Sequence, residues 1–204
     1  KTNSSIESGF TSPDGTLNAT KLKEDGSTSE HLLKYDFSVS DGHSITQSVF
    51  LKKGERTWAV LNLGGGANRY VYVDLENGVF GTIDSSIGNT SITAEGNDWY
   101  RVSMTIDSWD AAGKRFAVSS STGNNVVSVE GVEGNGIYVW GVQVEQDSRA
   151  SAHIPTSGSA VTVTTPLNDT HNAWDYDSAN LMLEEDPDSE GGWQRPSNII
   201  LNHN

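Results

Sequence analysis

The amino-acid sequence predicts an all-β protein, an antiparallel two-sheet jelly-roll β-sandwich over residues 1–155 with an extended acidic C-terminal arm over 156–204. Three observations predict it. Apolar residues recur at every second position, the period of a half-buried strand. No stretch sustains a helical period. Turn formers are abundant, with 21 glycines among 204 residues beside many Ser, Thr and Asn, so the strands must be short and numerous. Loops this short join antiparallel neighbours, because a parallel crossover takes a dozen residues or more.

The strands follow in order. Leu33, Tyr35, Phe37 and Val39 share one face, and Ser40-Asp41-Gly42 turns the chain. Ile45, Val49 and Leu51 form the next apolar face, closed by Lys53-Gly54. Trp58 to Leu63 is a strand that ends in three glycines. Tyr70 to Leu75 alternates cleanly, with Val71, Val73 and Leu75 on one side and Tyr70, Tyr72 and Asp74 on the other. Asn77-Gly78 then accepts the positive φ of a tight hairpin turn, and Val79 to Ile83 returns. Trp99 to Ile106 carries Tyr100, Val102, Met104 and Ile106 in phase, and Phe116 and Val118 anchor a further strand. Val126 to Val129 reads as a short edge strand, and Gly136 to Glu145 as the last one. In that last strand Tyr138, Trp140, Val142 and Val144 share a side, which predicts Trp140 as a plug in the core.

The totals narrow the function classes. With 27 acidic and 13 basic residues, the net charge is −14. An acidic surface repels phosphate backbones and anionic headgroups, so neither nucleic acid nor membrane is an expected partner. There is no cysteine, which excludes disulfides and thiolate metal sites. No apolar run reaches membrane-spanning length.

The composition shifts near Ile154. Beyond it, acids including Glu184, Glu185, Asp186 and Asp188 face the single basic residue Arg195. Apolar residues are few there, but Trp174, Tyr176, Trp193 and the run Ile199-Ile200-Leu201 stand out as anchors. Such a segment is expected to lack a core of its own and to dock on partner subunits; its other course is to fold back over an open sheet edge.

Six stretches, in order along residues 12–164, resemble a domain family of bacteriophage virion and tail proteins. They are Pro13-Asp14-Gly15-Thr16 with Ala19 to Leu22, Leu51 to Trp58, Asp74 to Gly78, Gly96 to Ser103, Gly136 to Glu145, and Ile154-Pro155-Thr156 with Gly158 to Thr162. His153 and Val163 depart from the family's pattern. The resemblance implies a concanavalin-like or carbohydrate-binding-module-like β-sandwich, as found in tail fibres and beside polysaccharide-degrading enzymes. Jelly rolls of that kind often hold a structural calcium on an Asp of the last strand. Val139-Trp140-Gly141-Val142 supplies no acid, so no metal or other cofactor is expected.

Ligand candidates are aromatics out of phase with the core. Tyr70 and Tyr72 oppose Val71 and Val73, Trp58 opposes Ala59 and Leu61, and Trp99 opposes Tyr100 and Val102. Sugar rings stack on flat aromatic faces, while Asn62, Arg69, Asp74 and Arg101 could bind hydroxyls. Each aromatic could instead pack under a loop. His31, His43, His153, His171 and His203 are scattered outside any nucleophile or zinc motif, so no catalytic residue is assigned and an enzyme is not expected. The expectation is a non-catalytic virion structural protein of a phage tail fibre, tail or capsid decoration. It would stand on the virion surface as a homo-oligomer and attach to a host-surface glycan. The alternative is a carbohydrate-binding accessory module of a polysaccharide-degrading enzyme.

Overall fold

The computed structural model describes residues 1–37, 42–64, 69–109, 114–156, 161–163 and 198–203, and among them there is no helix. Among these residues fifteen strands form three antiparallel sheets. The larger sheet runs β1 (Ser4–Phe10), β2 (Ala19–Glu24), β13 (Gly136–Glu145), β5 (Ile45–Lys53), β10 (Trp99–Ile106) and β9 (Thr90–Ala94). The second sheet runs β4 (Leu32–Phe37), β11 (Lys114–Ser121), β6 (Trp58–Gly64), β7 (Tyr70–Asp74) and β8 (Val79–Ile83). A two-stranded ribbon pairs β3 (Thr28–Ser29) with β12 (Val129–Glu130).

One apolar core joins the two larger sheets. Leu22, Val49, Leu51, Val102, Met104 and Ile137 come from one sheet, and Leu61, Val71, Val73, Phe116 and Val118 from the other. In the central strands alternate residues enter it, as the period of a strand requires. At one end Glu24, fully buried, faces inward and is held by Arg56 through Nε at 2.8 Å and Nη2 at 2.6 Å, by Ser120 Oγ at 2.8 Å and by the Val132 amide at 3.0 Å. Burial alone would raise its carboxyl, but these donors outweigh burial and hold it below the ordinary range.

The strand pattern differs from the sequence reading in several places. The chain before residue 31 supplies β1, β2 and β3, none of them predicted. The edge strand expected at Val126 to Val129 lies at Val129–Glu130. Val39 and the turn at Ser40-Asp41 lie outside the described residues.

The largest difference is the phase of β13. Ile137 and Val139 join the core, and so do Val142 and Val144, while Tyr138 and Trp140 lie on the opposite face with Phe50 and Trp99. Three steps along β13, from Trp140 to Gln143, match two along β5, from Phe50 to Ser48. The extra residue is a β-bulge, and it switches the side chains from odd to even positions on the core face. Gly141 makes it feasible: its φ is +58°, and a Cβ there would come within 2.9 Å of the Phe50 ring. Trp140 is therefore a half-buried residue of the outer face, not the core plug.

The C-terminal segment adds β15 (Asn198–His203) to β13 from Val142 to Glu145, and β14 (Val161–Val163) to β15. These strands lie along a sheet edge of their own chain. Residues 164–197, with the acidic run and both tryptophans, lie outside the described residues.

Candidate functional site

The outer face of the second sheet gathers the candidate site. Directly opposed residues in an antiparallel pair share a face, so the register places its side chains in rows. One row is Leu32, Ser119, Val60 and Tyr72; the next is Lys34, Ala117, Asn62 and Tyr70; a third is Ser121, Trp58 and Asp74. Small residues fill the middle: Val60, Ala117 and Ser119 are buried. Tyr70 and Tyr72 flank this floor on one side with ring centroids 6.1 Å apart and planes at 47°.

Glu30, just before β4, brings a charge to the same place. Burial raises its carboxyl, offset in part by Arg115 and by the Ser119 hydroxyl. Its Oε1 is buried and accepts no hydrogen bond from the described residues. Both tyrosine hydroxyls are pushed up as well, by burial and then by the Glu30 charge; for Tyr70, Arg115 acts in the opposite direction. The arrangement offers an aromatic surface beside one acceptor, Glu30, and one cation, Arg115. Such a set can stack on the apolar C–H face of a ring and bond its polar edge.

Of the eight residues predicted from sequence, five occupy this face: Tyr70, Tyr72, Trp58, Asn62 and Asp74. They are not equally available. Tyr72 points away from the core as predicted, yet it is only 5% exposed, so Tyr70 presents most of the aromatic surface. Asn62 is buried and its Oδ1 accepts the Arg69 amide at 3.2 Å. Asp74 caps the hairpin turn, accepting from the Glu76 and Asn77 amides and from the Asn77 side chain. Trp58 lies over β8 at Gly81, leaving its ring half-buried.

The other three belong elsewhere. Arg69 bonds Ser86 Oγ at 3.2 Å and stacks on the buried Trp109, 5.4 Å from the ring centre. Trp99 and Arg101 sit on the outer face of the opposite sheet. Trp99 is 2% exposed there, and Arg101 lies over the Phe50 ring and donates to Ser48 Oγ and the Ser151 carbonyl. Their alternation was read correctly; the segment that covers them was not visible.

Sequence reasoning missed Glu30 and Arg115. Arg115 carried a usable signal, since it is out of phase with Phe116 and Val118. Glu30 precedes its strand and belongs to no period. Among the described residues, no group of three or more His, Asp or Glu is placed to hold a metal ion.

No family model and no curated protein matches the chain. The phage-domain resemblance accordingly rests on its six stretches. Four of these mark joints of the fold: the loop between β1 and β2, the β5–β6 connection, the β7–β8 turn and the β9–β10 turn.

Proposed function

We propose that the two sheets form a jelly-roll sandwich that binds a glycan on the outer face of the second sheet, without catalysis. The observation that carries this reading is the Tyr70–Tyr72 pair beside the Glu30 carboxyl, whose Oε1 accepts no hydrogen bond from the described residues. A sugar ring laid on Tyr70 would bury its apolar C–H face there and meet the half-buried Glu30 carboxyl at its edge. Arg115 would donate to a ring or hydroxyl oxygen. Binding is favoured over turnover because Asp74 is committed to its own turn, whereas glycosidases draw on a pair of available carboxyls. The six resembling stretches supply the setting: a displayed attachment domain of a bacteriophage virion, or a binding module beside a polysaccharide-degrading enzyme.

A glycan array probed with the intact chain tests the reading. Binding to a restricted set of glycans, lost on Tyr70→Ala with the melting temperature retained, is the expected result. An array without signal, or binding indifferent to Tyr70→Ala, would remove the site from this face.

A further inference from the structure

A cavity lies apart from the tyrosine face. It measures about 310 Å³ and sits where β13 changes partners. Pairing with β2 ends at Val139, and pairing with β15 begins at Val142. The bulge at Trp140-Gly141 falls in that gap. Leu33, Tyr35 and Phe116 line the cavity from one sheet, and Val139 and Val142 from the other. All five belong to or pack on the main core, so the cavity is an opening into the apolar interior.

Its charge is the reverse of the chain's. In a protein of 27 acidic and 13 basic residues, the charged residues that line this cavity are Lys1 and Lys34, with the polar Asn18 and Thr20. An apolar chamber edged by ammonium groups complements a molecule with an apolar body and an anionic head. The volume is at the low end of the roughly 300–1,000 Å³ of small-molecule pockets, which suits a short chain or a single ring.

We infer that this cavity binds a small amphipathic carboxylate, the apolar body between the sheets and the carboxylate at Lys1 and Lys34. The site is independent of the glycan reading, since it shares no residue with the tyrosine face apart from Lys34 at its edge.

Calorimetric titration of the intact chain with octanoate, octylamine and octan-1-ol tests it. Octanoate is expected to bind with a Kd of about 0.1–1 mM, the range open to a ligand of this size. Octylamine, with the same tail and opposite charge, should bind at least about tenfold more weakly. Lys34→Glu should weaken octanoate by about tenfold and leave octan-1-ol unchanged. Asn18→Trp, at an exposed position of the lining, should plug the opening and abolish both. The inference is overturned if octanoate gives no heat up to about 10 mM, if octanoate and octylamine bind alike, or if Asn18→Trp leaves octanoate binding intact while the variant melts normally.

Discussion

The two outer faces of this protein begin from the same sequence logic and end in different states. Each carries aromatics out of phase with the core. On the larger sheet Phe50, Trp99 and Ala19 form a second apolar cluster with Phe10, Tyr138 and Trp140, and residues 146–156 return beside Phe50 and Trp140. That return is fastened by hydrogen bonds: Thr46 Oγ1 to the Asp147 carbonyl, Arg101 to the Ser151 carbonyl, the Ser151 amide to the Glu145 carboxylate, and the Ile154 amide to Gln143 Oε1. His153 completes it, with its ring 4.6 Å from Trp140 and 5.8 Å from Phe50. On the second sheet Tyr70 stays half-buried, although Tyr72, Asn62 and Val60 beside it are buried. The difference teaches that alternation reports which side of a strand is outside the core. It does not report whether that side is covered.

The sharpest way to break the comparison is to truncate one aromatic on each face. Trp99→Ala should destabilise by about 3–5 kcal/mol, as large-to-small changes at buried sites do. A loss below about 1 kcal/mol in denaturant unfolding would show that Trp99 is not buried on this face. Trp140→Ala, at a half-buried position, should cost about 2 kcal/mol, within the range for burying a large apolar side chain. Tyr70→Ala should cost less than about 1 kcal/mol, since it leaves no core cavity. If Tyr70→Ala costs as much as Trp99→Ala, the second face is a covered one too.

A finer test uses pH, because the two faces should respond with opposite signs. Burial, with Arg101 nearby, holds the His153 ring below its usual 6.5. The unfolded chain then takes up a proton before the folded one, so stability falls as pH drops below about 6.5. His153→Phe should flatten that limb. Glu30 is raised above its usual 4.5 by burial, so the folded state keeps its proton longer. Its contribution is fully present below 4.5 and is lost as pH rises through the raised value. Glu30→Gln should therefore raise the melting temperature at pH 7 and leave it unchanged at pH 4. Melting curves of the two variants across pH 4–8 check both signs, and a matching sign for both would contradict the assignment of their environments.

How much of this was legible follows from particular residues. Tyr70 to Asp74 alternate without interruption, and β7 has that phase. Leu33 to Phe37, Ile45 to Leu51 and Trp99 to Ile106 were legible for the same reason. Trp140 was misplaced because a bulge inserts one residue and reverses the period, although Gly141 inside a strand is the usual mark of such a site. β1 was illegible because the residues between Ser4 and Phe10 are exposed on both faces and carry no alternation to read. Glu30 could not be found from pattern, because its place depends on tertiary packing beside Ser119 and Arg115. Asp74 and Asn62 were identified as facing outward, but their engagement in local hydrogen bonds only the fold could show.

The central claim is that the face carrying Tyr70, and not the one that residues 146–156 return along, binds ligand. Its most direct measurement is chemical-shift perturbation in the ¹⁵N-labelled chain, titrated with a glycan chosen from the array. The account predicts that the shifts concentrate on β6, β7, β11 and Glu30, and that Tyr70→Ala removes them. Shifts centred on Trp140, His153 and residues 146–156 would contradict it.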